Sequence, residues 1–436
     1  MSSMTSSRSV RGVTLVELMV AMLLGLLVSA GVISVFMSMS SSNSAQTQMA
    51  RLQEEGRFAV QRLTDDLNMV NAQYCSSTGG VANTTSSGVF LDGLRTPMVY
   101  AKTFSPLHNT TPWGSPYPAE PAEPYPLPSF FFMRGYDCNT ATCTPTAPTE
   151  VPAMGTDIGN RVLGAAVLTV RYLDSAQGWA LGGASTMTSV NGEITDVSIS
   201  PATGEPPLTD FKAGDLGMVA DCSNATVFAV TGNGNFKPDA GNNLAVPRAV
   251  RLTDQAAPKF FDFTRAFRTV TYYLQVVSND GTANGTKTGA LMRCDNDNTD
   301  PCQEIARGVE RMDFRYAVED ANGMVRYLTA NEVDTATAGS GSLACPPGAA
   351  KQLTPDAGCL WRAVKAVELH LLMDGQKPLY TLLEPDLAHS YRPDGITTPA
   401  APSSSGFAVK PSDQGFDDHM MRREFNVLVM MRNYNP

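Results

Sequence analysis

The sequence predicts an α+β protein: a long N-terminal helix followed by a body rich in antiparallel β-strands. Three observations carry this reading. An apolar run over residues 13–37 passes straight into an amphipathic stretch, with no proline between Met1 and Arg95. After Cys75 the helical periodicity stops and Gly, Ser, Thr, Asn and Pro become frequent. Short β-type runs separated by turn-rich stretches then fill the remainder.

Residues 1–12 are Ser-rich and basic through Arg8 and Arg11. Residues 13–37 are apolar apart from Glu17 and a few small polar side chains. As a helix this run is about 37 Å long, against a hydrocarbon core of ~30 Å, so it can span a bilayer. The arginines ahead of it place the N-terminus in the cytoplasm and the rest of the chain in the periplasm or outside. A carboxylate inside such a run costs at least a few kcal/mol (~2.5 or more at a helix centre), which sets Glu17 apart.

The next stretch, "RLQEEGRFAVQRLTDDLNMV", places Leu52, Gly56, Ala59, Val60, Leu63, Leu67 and Val70 on one helical face. Arg51, Glu54, Glu55, Arg57, Arg62, Asp65 and Asp66 are assigned to the solvent face. A continuous helix from about residue 13 to 71 is roughly 90 Å long, with Gly25, Gly31 and Gly56 as weak points. These features divide the chain into a leader (1–12), an apolar half-helix (13–37), an amphipathic half-helix (38–72) and a β-rich head (73–436).

Within the head, "PWGSPYPAEPAEPYPLP" (112–128) reads as an extended Pro-rich surface loop. The expected strands are "RVLGAAVLTVRYL", "DLGMVADC", "ATVFAVT", "VTYYLQVV", "MDFRYAV", "AVKAVELHLLM" and "EFNVLVMMRN". A long loop is expected over 383–418.

The chain has 436 residues, with 32 basic and 42 acidic side chains and a net charge of −10. Nothing in that balance points to nucleic acid as a direct ligand. The 8 cysteines, an even number behind an export-type N-terminus, point to disulfides in an oxidising compartment. Cys138/Cys143, Cys294/Cys302 and Cys345/Cys359 are close in sequence, which leaves Cys75 and Cys222; the connectivity stays open. Zinc fits poorly: there is no CxxC, and only His108, His370, His389 and His419 are available.

No catalytic, cofactor or metal site is expected. GxSxG, HExxH and Walker A patterns are absent. "DNDNTD" (295–300) hints at a calcium loop but lacks the central glycine, and Ala306 stands where the closing glutamate belongs. "GTKTG" and "GNGNF" read as turns. The carboxylate pairs Asp65–Asp66 and Asp417–Asp418 are assigned to polar faces or loops. No small-molecule substrate is expected.

The N-terminus admits a signal peptide cut after Ala30 or a plain signal anchor. However, "RGVTLVELMVAMLLGLL" resembles the class III leader of type IV pilins and type II secretion pseudopilins. That resemblance implies cleavage after Gly12 by a prepilin peptidase and N-methylation of Val13. Thr14 and Leu15 fit the pattern, and Glu17 stands where the family has its assembly glutamate. Val13 departs from the commoner phenylalanine. The resemblance implies that Glu17 pairs with the N-terminal amine of an adjacent subunit, and such pairing offsets the burial of both charges.

Further along, "GAAVLTVRYLDS" (164–175), "AGDLGMVADCSNATVFAVT" (213–231), "VTYYLQ" with "GALMRCD" (270–295), "IARGVERMDFRYAVEDANGMVRYLTANEV" (305–333), "WRAVKAVELHLLMDG" (361–375) and "RREFNVLVMMRN" (422–433) resemble the PilW-type minor pilins. Residues 76–155 match least. The resemblance implies a pilin-like fold, with other minor pilins, the major pilin, the peptidase and the inner membrane as partners. It further implies priming and tipping of a type IV pilus, twitching motility and attachment. The alternatives are a J-type pseudopilin of type II secretion, a tethered adhesin whose ligand site lies in 76–155, and an enzyme released after Ala30.

Overall fold

The computed structural model describes residues 12–72, 74, 81–85, 88–92, 97–103, 119–208, 211–221, 224–232, 236–253, 257–282, 285–296, 302–319, 324–336, 343 and 358–433. One helix, Leu15–Met69, opens the fold and runs unbroken through Gly25, Gly31 and Gly56. It is about 80 Å long at ~1.5 Å per residue. Every residue from 12 to 40 is exposed, and Ser41 is the first that is not. Only the second half is covered, through Gln48, Leu52, Gly56, Ala59, Leu63, Asp66 and Leu67. That is the expected apolar face with one correction: Asp66, assigned to solvent, is 4% exposed.

Three sheets form the head. The central sheet has the order Cys302–Arg307, Lys287–Asp295, Phe267–Ser278, Val167–Leu173, Met133–Cys138 and Cys143–Thr144. All its pairs are antiparallel. The C-terminal sheet, also antiparallel, has the order Val325–Leu328, Val309–Glu319, Val364–Asp374 and Arg422–Met430. A distal sheet joins Tyr125–Pro126, Met98–Val99, Ala225–Ala229, Leu216–Ala220, Lys259–Asp262 and Trp179–Ala180, with one parallel pair between Met98–Val99 and Ala225–Ala229. Two hairpins, Val81–Thr85 with Gly88–Asp92 and Thr186–Val190 with Glu193–Ser198, complete the strands.

The helix packs on Arg422–Met430, Cys302–Arg307, Val364–Asp374 and Val167–Leu173, so it bridges the central and C-terminal sheets. Alternation explains the fit: Phe425 and Val427 turn inward from the last strand, while Leu428 and Met430 stay exposed. Gly56 gives Phe425 its room, since a Cβ there would stand 2.3 Å from the ring. At the far end of the helix, Asn433 Nδ2 donates to the carbonyls of Asn68 (3.2 Å) and Val70 (3.1 Å), and Asn71 Nδ2 donates to the Asn433 carbonyl (2.9 Å). Tyr74 then donates to the Ala257 carbonyl (2.5 Å), which sets the distal sheet at that end. The distal sheet and the hairpin Thr186–Val190/Glu193–Ser198 enclose a second core around Trp179, Phe211, Phe228, Phe236 and Phe260.

Each expected strand overlaps an observed one, with shifted ends. The Pro-rich reading needs correction where it is described. Tyr125 and Leu127 are buried, and Tyr125–Pro126 is an edge strand, a position that tolerates a proline. The stretch 383–418 is largely loop, as expected, with short turns at Glu384–Leu387, Arg392–Asp394 and Pro411–Gln414. It lies over the C-terminal sheet and buries Tyr391, Phe407 and Phe416.

Candidate functional site

Gly12 and Val13 precede the helix and lie open to solvent. Among the described residues, nothing comes within 4 Å of where a Gly12 Cβ would be, so internal packing gives no reason for a glycine there. The Gly12–Val13 bond lies outside the helix. Thr14 is the N-cap: its Oγ1 accepts from the Glu17 N–H (3.2 Å), and Glu17 Oε2 accepts from the Thr14 N–H (3.3 Å). This reciprocal pair is a capping box, and its signature T-x-x-E is legible in "TLVE", so Glu17 serves the helix end as well as the assembly role that the resemblance implies. Leu15 is the first helical residue and is 74% exposed. The structure thus brings Thr14 and Glu17 together, on an apolar segment that no other described residue covers. The helix is long and apolar enough to cross a membrane.

The opposite end of the helix is held by charge. Arg293 from the central sheet grips Asp66 through Nε (2.7 Å) and Nη2 (3.4 Å), and Tyr272 and Tyr172 donate to the same carboxylate at 2.6 and 3.1 Å. Arg293 Nη1 also reaches Asp295 (3.0 Å). Burial, and then the Asp66 charge, push the Tyr272 hydroxyl well above its ordinary range, so it remains a donor. Asp66 falls on the helical period between Leu63 and Val70; that spacing was the signal for its burial.

A second buried pair organises the C-terminal sheet. Arg422 makes a fork to Glu310 at 2.7 and 2.9 Å and collects the carbonyls of Asp417, Asp418 and Met420. Beside it, a small cleft is lined by Glu310, Arg311, His389, Asp394, Phe407 and Gln414, among others. Its carboxylates are engaged, Glu310 by Arg422 and Asp394 by Arg311. Burial pushes His389 down to about 4, leaving a neutral imidazole at pH 7. Among the described residues, no group of His, Cys, Asp and Glu is arranged to hold a metal ion. Asp295, from the calcium-like run, is instead taken by Arg293 and Arg268.

Two expected disulfides form. Cys138–Cys143 and Cys294–Cys302 each join register partners of adjacent strands, and so staple both edge strands of the central sheet to their neighbours. Cys359 is disulfide-bonded. Cys75, Cys222 and Cys345 lie outside the described residues.

A helix uncovered over its apolar first half, capped by the one carboxylate of that half and carrying an antiparallel head on its second half, defines a pilin-like protein with a membrane-type anchor. Residues 7–33 match the prokaryotic N-terminal methylation motif, and residues 271–433 match the family model for type IV pilus-assembly protein W. The N-terminus thus fits a class III prepilin leader, and residues 271–433 are similar to the PilW family. Both matches support a minor-pilin role in a type IV pilus. The resembling stretches at 164–175 and 213–231 lie outside the matched residues. No curated protein and no solved structure matches the chain.

Proposed function

We propose that this protein is a minor pilin that primes a type IV pilus and is carried at its tip. The precursor crosses the inner membrane once, with its head in the periplasm. Prepilin peptidase cuts after Gly12, and Val13 is methylated. The helix over 13–37 then packs against the helices of other minor pilins and the major pilin. Glu17 supplies the charge that selects register, because a carboxylate and an amine in lipid each lower the burial cost of the other. Before assembly the Thr14 cap occupies that carboxylate; an incoming amine displaces a hydrogen bond rather than entering an empty site. Fibre growth from this complex supports twitching motility and attachment.

The observation that carries the proposal is the uncovered helix. Val13 to Met39 contribute large apolar side chains that are 52% or more exposed, interrupted by Glu17 as the only charge. Such a surface requires lipid or other helices. Mass spectrometry of the mature N-terminal peptide from the native host tests it. A chain starting at N-methylated Val13 is expected; a chain starting at Gly31 would overturn the proposal.

A further inference from the structure

Outside the apolar run, the two most exposed large apolar side chains among the described residues are Leu383 (71%) and Tyr380 (69%). They belong to one loop, which follows the strand Val364–Asp374. Among the described residues, the same loop meets the helix where its shielded half begins. Thr381 Oγ1 lies 2.7 Å from Ser41 Oγ, and Ser41 is the first shielded residue of the helix. Tyr380 anchors its hydroxyl on Asp417 (2.7 Å) and rests its ring against His419 (4.9 Å between centroids), yet stays open on its outer side.

The height of this loop follows from helix geometry. Ser41 stands four residues beyond Met37, where the apolar run ends, which is about 6 Å along the axis. The layer between the hydrocarbon core (~30 Å) and the outer headgroup limit (~40–45 Å overall) is roughly 5–7 Å deep on each side. The apolar run, at about 37 Å, also exceeds the core, so its far end either emerges into that layer or the helix tilts. Both outcomes keep the base of the head at headgroup level.

We propose that Tyr380 and Leu383 form a lipid-docking tip, which enters the interfacial layer of the bilayer holding the helix and seats the head on the membrane before assembly. This rests on the membrane-anchored reading above. A tyrosine with a fixed hydroxyl and an exposed ring suits that layer, where one end is wet and the other apolar. Glu384 and Asp386 follow at once, both exposed, and their charges hold the contact shallow. Thr381, between the two, touches Ser41 only four residues past the end of the apolar run, which is the reason for assigning the tip to lipid rather than to a neighbouring subunit.

The test uses the full chain in phosphatidylethanolamine/phosphatidylglycerol vesicles, at a protein density low enough to keep helices apart. An environment-sensitive thiol label is placed at Leu383→Cys and, separately, at Tyr380→Cys, Phe36→Cys and Val190→Cys; the unsubstituted chain gives the background. Val190 lies on the hairpin at the distal end and is 57% exposed. The labels at 383 and 380 are expected to shift to the blue and to be quenched by headgroup-spin-labelled lipid, with the label at 190 unaffected. Quenching at 36 with labels at 380 and 383 as water-exposed as the one at 190 would overturn the proposal and leave the loop to a protein partner. A label at 36 that also escapes quenching would overturn the membrane-anchored reading with it.

Discussion

Asp66 of the helix and Arg293 of the central sheet meet at 2.7 Å inside the head, although 227 residues separate them. The contact is two-pronged and is shared by Tyr272 and Tyr172. It fixes both the rotation and the height of the helix, because a fork can be satisfied in one orientation only. Asp66→Ala strands a guanidinium in the interior, and Asp295 offsets only part of the loss. The expected cost is about 3–5 kcal/mol, read as a lower urea midpoint. A loss under ~1 kcal/mol, the range of exposed ion pairs, would mean that apolar packing alone seats the helix.

Gly56 offers a test in which two effects oppose. On an exposed helix, Gly→Ala stabilises by ~1 kcal/mol. Here the new methyl would meet the Phe425 ring at 2.3 Å, and overpacking costs typically about 1–3 kcal/mol. Gly56→Ala is therefore expected to lower the melting temperature, and adding Phe425→Leu is expected to restore it. A variant more stable than the parent would show that Phe425 swings away freely.

Substitution separates the observed capping role of Glu17 from its proposed assembly role. Glu17→Gln keeps an oxygen to accept the Thr14 N–H but removes the charge. Glu17→Ala removes both, at ~1 kcal/mol for the lost cap. Both variants are expected to insert into the membrane and to fail in piliation. If Glu17→Gln supports normal pili while Glu17→Ala does not, helix capping is the whole function of the residue.

Asp374 sets a pH dependence. Burial, reinforced by the Glu310 carboxylate, pushes it up to about 8, with the Thr288 hydroxyl opposing. The folded chain holds a proton there that the unfolded chain releases near its ordinary value of ~3.9. Stability from this group is complete below that value and is lost as pH rises toward about 8. Asp374→Asn, which cannot titrate, should gain on the parent as pH rises from about 5 to about 9, as followed by urea midpoints. A constant difference would mean that the carboxyl is already ionised at the lower pH.

The helix was legible because its period is local. The face from Leu52 to Val70 needed no knowledge of the sheets beneath it. Asp66 was misplaced because a carboxylate is ordinarily assigned to water, and its partner's position is not written near it. The two-residue strands Met98–Val99 and Trp179–Ala180 left no periodic trace, and Tyr125–Pro126 was hidden in a proline-rich run. The disulfides Cys138–Cys143 and Cys294–Cys302 were legible for the opposite reason. Each joins neighbours across a hairpin, where proximity in sequence is proximity in space. The contact of Thr381 with Ser41 was not legible, since only the structure places residue 381 at the level of residue 41.

The clasp between Asn71 and Asn433 has a consequence for synthesis. Its two sides lie 362 residues apart, and the strand carrying Phe425 arrives only just before the second of them. At roughly 5–20 residues per second, the helix waits on the order of twenty seconds to a minute after it is made before its cover is complete. During that interval the face of Leu52, Ala59, Leu63 and Leu67 lacks the last strand of its cover. A chain interrupted before Phe425 never closes over its own spine. The contact that stiffens the finished subunit is thus also what distinguishes it from an unfinished one.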